Sequence, residues 1–134
     1  MPTKTDFQPG FRLLGGTDVN LALTNILSNE GLSAQVGITA TAGGGQTNAY
    51  QLSKSLNRVT TVATAADSVK LPSTRGGGKI LAITNSGANS LQVFGRATAT
   101  INGVAAGTGV AQAAGITALY ICPAPGIWFR LLSA

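Results

Sequence analysis

The chain has 134 residues, of which only 10% are charged, and it carries a formal net charge of +5 without any histidine. This length suits one domain with an additional arm, and the lack of histidine excludes Ser-His-Asp and Cys-His catalysis and removes the commonest metal ligand. Because an average soluble domain is roughly 25% charged, so few charges predict that much of the surface is buried against other subunits.

Residues 1–16 predict an extended arm. Prolines and glycines interrupt any regular element in this stretch, whereas its large apolar residues favour burial; these are Phe7, Phe11, Leu13 and Leu14. Such an arm can lie across a neighbouring subunit or pack as a strand on its own domain, and the sequence leaves both possibilities open.

Residues 17–31 predict one short helix. Thr17 can act as its N-cap, and Asp18 is favourable in the first turn. The apolar residues that follow form one stripe at helical spacing, and Gly31 fits the position just after the helix. Alternation in the first half of this segment also permits a strand.

Residues 32–134 predict a small, mainly β domain of eight or nine short antiparallel strands, arranged as a β-sandwich or jelly roll. Runs rich in β-branched residues alternate with Gly, Pro and Asn, and no repeat of fixed period is visible. The predicted strands other than the central pair described next are 35–42, 46–52, 58–63, 68–71, 110–114, 116–122 and 127–132, and Asn102-Gly103 predicts a tight turn.

The centre of this domain is predicted to be a hairpin over Lys79–Phe94. Two apolar runs, Ile80–Thr84 and Leu91–Phe94, flank a polar turn. Side chains alternate along a strand, so Ile80–Thr84 presents apolar residues on both faces. That pattern indicates a strand covered on both sides, either within a sandwich or at a subunit contact.

Motifs for chemistry are absent or incomplete. The glycine loop Thr74–Lys79 departs from the phosphate-binding pattern at Ser73 and Ile80, and the glycines at 107–109 lack the last glycine of a dinucleotide fingerprint. The four carboxylates are far apart in sequence, which disfavours a paired-carboxylate site. We therefore predict a protein that is not an enzyme and that needs no cofactor or metal.

Targeting signals give two further expectations. No apolar run approaches the length of a membrane span, so no membrane partner is predicted. The first residues lack the apolar core of a signal peptide, so we expect the chain to be made in a cytosol-like compartment.

Six of the nine basic residues lie between Lys54 and Arg96, against Asp67 alone. They indicate either a basic face for an acidic protein partner or solvated side chains on loops and strand edges. Nucleic acid is disfavoured because aromatic residues are not interleaved with the cations.

Two residues near the end of the chain stand out. The lone Cys122 predicts a buried, inert thiol. Trp128 predicts a core residue in preference to an aromatic platform for a sugar or a partner.

Several short motifs, in order, resemble a module of tailed-phage virion proteins. The module has V-x-L-P, V-x-N-x-G, V-(Y/F), I-N-G and G-x-W patterns, and the chain presents similar residues in the same order over roughly residues 35–134. They are Asp67–Pro72, Gly78–Asn85, Leu91–Phe94, Ile101–Gly103 and Gly126–Leu131.

The resemblance implies a β-sandwich or jelly-roll capsid decoration (cement) protein that binds the outside of a phage capsid, between capsomers. The implied partners are the major capsid protein and further copies of the chain, with a trimer favoured over a dimer. A head-fibre or tail-appendage module for receptor or glycan binding is the alternative. The interface residues predicted on this basis are Phe7, Phe11, Arg12, Leu13, Leu14, Arg58, Arg75, Lys79 and Arg96.

Overall fold

The computed structural model describes residues 32–43 and 45–133. Its contacts divide the chain into two units, Met1–Leu32 and Ser33–Ala134, and only the second is described below. The arm and helix predicted for residues 1–31 lie outside the described residues. So do five of the predicted interface residues, namely Phe7, Phe11, Arg12, Leu13 and Leu14.

The second unit is built from ten short strands and one helical turn among the described residues. In chain order they are β1 (Ala34–Thr39), α1 (Gly45–Asn48), β2 (Tyr50–Gln51), β3 (Leu56–Thr61), β4 (Ser68–Lys70), β5 (Lys79–Asn85), β6 (Leu91–Phe94), β7 (Thr100–Ile101), β8 (Val110–Gln112), β9 (Thr117–Ala124) and β10 (Ile127–Leu132). They form a six-stranded sheet, in the order β1-β3-β5-β9-β10-β7, and a four-stranded sheet, in the order β2-β4-β6-β8.

The chain winds through the two sheets as a β-solenoid of about four turns. In the six-stranded sheet β1, β3 and β5 pair in parallel, and in the four-stranded sheet β2, β4 and β6 do the same. Parallel neighbours need a crossover between them, and here each crossover passes through a strand of the opposite sheet. Each of the first three coils therefore contributes one strand to each sheet.

The last coil runs in the opposite direction. β8 pairs antiparallel with β6, and β9 pairs antiparallel with β5. β10 then returns antiparallel to β9, and β7 lies parallel to β10 at the edge of the six-stranded sheet. Reversal ends the parallel stacking, and β9 and β10 extend the larger sheet beyond the coils.

The predicted β-sandwich or jelly roll of antiparallel strands is therefore wrong, and so is the central hairpin. Residues 80–84 and 91–94 do lie in strands, but β5 and β6 belong to different sheets. The reason lies in the corner between them. The Gly87 N–H donates to Asn85 Oδ1 (3.0 Å), and Asn85 Nδ2 donates to the Gln112 carbonyl (2.9 Å), which holds the chain in a turn toward the second sheet.

Other local predictions have mixed outcomes. The strand predicted over 46–52 is wrong in its first half, because residues 45–48 form α1, in which Gln46 Nε2 donates to the carbonyls of Gly95 and Ala97. The tight turn at Asn102-Gly103 is confirmed, with φ of 51° and 77° at its two central residues. Positive φ at both positions is what such a turn requires.

An apolar core fills the space between the two sheets. Its largest fully buried side chains include Trp128, Tyr120, Ile38, Leu52 and Leu71. A polar network is buried with them: Tyr120 Oη donates to Gln112 Oε1 (2.9 Å), and Gln112 Nε2 donates to the carbonyls of Ile83 (2.9 Å) and Ile116 (2.8 Å). Buried polar atoms are costly unless they are paired, so this network fixes the position of β8 against β5 and β9.

Candidate functional site

The most unusual surface of the described unit is the outer side of its six-stranded sheet, which we call the apolar face. Cross-strand register arranges its side chains in rows. Ile80, Ile121 and Phe129 form one row, because Ile121 lies opposite both of the others. The adjacent row, two residues along the strands, runs through Ala34, Leu56, Ala82, Leu119 and Leu131.

These rows are large, apolar and open to solvent. The exposed fractions are 58% for Ile80, 51% for Phe129 and 61% for Leu131, and Val36 on β1 reaches 71%. A scattered exposed leucine is ordinary, but contiguous apolar patches on a small protein mark contact surfaces. The apolar face is therefore the part of the described surface that is best suited to contact another protein.

A shallow depression of about 280 Å³ lies on one side of the apolar face. It spans β1, β3, β5 and the start of β9, and its lining includes Ala34, Val36, Leu56, Ala82 and Thr84. Small alanines at its floor leave room between taller neighbours. On the other side of the apolar face, the side chains of Phe129 and Leu131 protrude from β10.

The margin of the apolar face is polar. Arg58 on β3 lies directly opposite Thr84 on β5, and its Nε–H donates to Ser86 Oγ (3.1 Å). The hydroxyls of Thr84 and Thr117 share a hydrogen bond of 2.9 Å between β5 and β9. An apolar centre with a polar rim is the usual arrangement of a protein interface.

A second feature is what we call the basic corner, the region where the chain passes from the smaller sheet to the larger. Lys54 lies in the connection from β2 to β3, Arg75 lies in the connection from β4 to β5, and Lys79 begins β5. Lys54 and Lys79 line a depression of about 290 Å³ together with the hydroxyl residues Ser53 and Ser55. All three cations are exposed. Asp67 is the one acidic side chain among the described residues, and it is buried, with Oδ2 accepting the Thr64 N–H (2.9 Å).

The structure does not bring the predicted interface cations into one site. Arg75 and Lys79 lie together at the basic corner, whereas Arg58 is about 17 Å along the strands, five residues away at about 3.3 Å per residue. Arg96 follows β6 and therefore leaves the smaller sheet. All four are exposed, and they are divided among the basic corner, β3 and the loop after β6, so they do not form one basic face.

The side of β10 that faces the core is not the side with more apolar residues. Ile127, Phe129 and Leu131 alternate with Trp128 and Arg130, and three apolar residues would normally face the core. In the structure Trp128 is fully buried and Ile127, Phe129 and Leu131 are exposed. Arg130 is accommodated on the inner side because its guanidinium donates to the Ala111 carbonyl.

The expected positions of Trp128 and Cys122 are confirmed. Both are fully buried, and the Cys122 thiol donates to the Ala124 carbonyl (3.1 Å). Tyr120 is also buried, and burial raises its pKa to about 12, although the nearby Arg130 lowers it in part. Phe129 is the exposed aromatic residue of the described unit, and its row neighbours Ile121 and Ile80 offer no polar groups to a sugar.

Residues 32–43 and 45–133 contain no group of three or more His, Cys, Asp and Glu side chains that could hold a metal ion. Within the same residues no helix is long and apolar enough to cross a membrane. The chain matches no family model, no curated protein and no solved structure.

Proposed function

We propose that this protein is a non-enzymatic structural component of a tailed-phage virion, a decoration (cement) protein that binds the outside of the capsid between capsomers and stabilises the shell. The observation that carries this proposal is the apolar face. A large exposed apolar surface is unfavourable in water, so its presence on a chain with few charges favours a role in which other protein subunits cover it.

The motifs that resemble the phage module have structural positions in the solenoid, although the fold is not the sandwich or jelly roll that the resemblance implies. Pro72 follows the end of β4, Asn85 holds the corner after β5, Asn102-Gly103 forms the turn after β7, and Trp128 fills the core from β10. These residues shape the solenoid and carry no reactive group. A module defined by such residues suits a scaffold that presents surfaces to partners.

Energetics favour binding that is weak for one copy and strong for an array. Seven large apolar side chains of the face are at least one-third exposed, and covering a half-exposed one contributes about 1 kcal/mol. The face can therefore contribute about 7 kcal/mol, of which association consumes much. On a capsid the same contact recurs at every equivalent position, so neighbouring copies reinforce one another.

The basic corner supplies the second part of the proposed contact. Exposed Lys54, Arg75 and Lys79 favour an acidic surface on the major capsid protein, because complementary charge speeds association and sets orientation. Receptor or glycan binding by a head fibre or tail appendage has less support, since Phe129 has no polar partners around it.

The proposal is tested on virions of the phage that encodes the chain. We expect virions made without this protein to release their DNA at a lower temperature and under milder osmotic shock, and purified protein to restore both when it is added back. The double variant Arg75→Glu/Lys79→Glu should restore stability poorly, whereas Arg96→Glu, in the loop after β6, should act as the wild type does.

The proposal fails if the protein is absent from purified virions by mass spectrometry. It also fails if virions lacking the protein resist heat and osmotic shock as well as complete ones do.

A further inference from the structure

The apolar face carries both a protrusion and a recess. Leu131 and Phe129 protrude from β10, with exposed fractions of 61% and 51%. The recess is the depression of about 280 Å³ that spans β1, β3 and β5. The protrusion lies on β10, beyond β9, whereas the recess extends from β1 to β5 and the start of β9.

Their spacing is self-complementary. The strand order places β10 three strands from β3, which is about 14 Å at about 4.8 Å per strand. Leu131 also lies in the same row as Leu56 and Ala82, at the floor of the recess. A two-fold axis that runs along the strands midway between β5 and β9 would therefore place Leu131 of each copy over the recess of the other.

We infer that the apolar face binds a second copy of this chain, forming a two-fold dimer in which Leu131 of one copy packs against Leu56 of the other. This dimer replaces the trimer that the resemblance favours. In such an isologous contact the same patch serves both subunits, so one protrusion and one recess on a single face are sufficient. The two sheets would pack face to face with nearly aligned strands, as sheets commonly do.

Charge does not oppose a second copy at this face, although it does so elsewhere on the described surface. Residues 45–133 hold seven lysines and arginines against Asp67, so two copies repel each other over most of their surfaces. Among the described residues of the apolar face, Arg58 is the one with a formal charge; it lies opposite Thr84 and lines the recess with it. The face is thus the surface on which two cationic copies meet with the least repulsion.

The inference deepens the proposed function and rests on it for biological meaning: a second copy covers the apolar face, and the basic corner of each copy remains available to the capsid. The apolar face is wide but short: it crosses five strands, but it consists of only two neighbouring rows of side chains. The area it can bury is therefore small for a stable interface. Such contacts are typically weak, so we expect a dimer that dissociates in the micromolar range in solution and that the capsid array reinforces.

The first test measures the mass of the full-length protein by sedimentation equilibrium across about 1–500 µM. We expect a monomer–dimer equilibrium, which Leu131→Glu weakens at least about tenfold because it brings a charge into an apolar contact. The matched control is Ala111→Glu, at an exposed position of β8 on the other sheet, and it should leave the association constant within about twofold. Circular dichroism should show that both variants are folded.

The second test determines which residues of the two copies face each other. It uses protein in which Cys122→Ser removes the native thiol. Leu131→Cys protein mixed with Leu56→Cys protein should form a disulfide-linked heterodimer under mild oxidation, whereas either variant alone should cross-link poorly. A protein that stays monomeric to 500 µM, a trimer, or a Leu131→Glu variant that associates normally would each overturn the inference. None of these measurements uses virions, so their failure is separate from failure of the decoration role.

Discussion

The corner glycine Gly87 provides the most direct test of the stacked coils. It follows β5, and a Cβ built on it would lie 2.7 Å from Val62 Cγ2 and 2.7 Å from the Val62 backbone nitrogen. Val62 belongs to the corresponding corner after β3, one coil away. In Gly87→Ala, the two corners can no longer approach this closely unless the backbone of one coil moves.

The expected loss of stability in Gly87→Ala depends on which atoms the new Cβ would approach too closely. A side chain alone could rotate away, but the backbone nitrogen cannot, so part of the strain remains after any rotamer change. Overpacking of this kind typically costs about 1–3 kcal/mol, and with backbone atoms involved we expect a loss of about 2–3 kcal/mol. For a unit of this size that lowers the melting temperature by roughly 10 °C.

The assay is urea unfolding followed by far-ultraviolet circular dichroism, with Gly107→Ala as the matched control. Gly107 is exposed, and a Cβ on it would have no atom within 4 Å, so the control should be as stable as the wild type or slightly more so. In a Val62→Ala background, Gly87→Ala should cost less than it does in the wild type, because only the backbone part of the overlap remains. If Gly87→Ala changes the free energy of unfolding no more than an ordinary surface substitution does, the two corners are not stacked as described.

Two further predictions concern buried groups of the core. The pKa of Tyr120 is raised to about 12 from its ordinary 10, so its neutral phenol contributes stability fully below pH 10 and that contribution is lost as the pH rises through 12. At pH 7 the Tyr120→Phe variant should be about 1 kcal/mol less stable than the wild type, because Gln112 Oε1 loses its donor. This difference in the free energy of unfolding, measured in urea, should shrink between pH 10 and 12. A difference that does not change with pH would contradict the burial of Tyr120. The thiol of Cys122 is fully buried, so iodoacetamide should label it only as fast as the core opens, and labelling at the rate of a free thiol in native buffer would contradict its placement.

Local structure was predictable wherever short-range chemistry decides it. Asn102-Gly103 has the residues that accept positive φ, and the structure has the turn there. The alternation along β5 put Leu81 and Ile83 on one side and Ile80 on the other, and in the structure the first two are buried and Ile80 is exposed. These features depend on neighbours close by in the chain, and the sequence alone specifies them.

Pairing between strands was not predictable because the coils differ in length. The register places Ala34 beside Leu56 and Leu56 beside Ala82, so the second of these coils is longer than the first. Unequal coils leave no fixed period to detect. A short polar connection such as Ser86–Ser90 is equally compatible with a hairpin and with a corner, and the choice is made by Asn85 and Gln112, which meet only in the folded chain.

The same limit applies to the candidate site. Nothing near Leu131 in the sequence marks it as exposed, since Arg130 is the residue expected to face water. Leu131 is exposed because Trp128 and Arg130, which alternate with it, occupy the inner side of β10. Trp128 fills the core, and the Arg130 guanidinium donates a hydrogen bond to the Ala111 carbonyl. Both facts belong to tertiary structure.

The position of β7 has a consequence for synthesis on the ribosome. This edge strand pairs only with β10 in the six-stranded sheet, and Ile101 lies opposite Trp128, which is translated well after it. The first three coils can stack as they emerge from the exit tunnel, but β7 has no partner strand until β10 has also emerged. Completion of the larger sheet is therefore a late event in biogenesis, and nascent chains stalled before β10 should expose β7 to proteases.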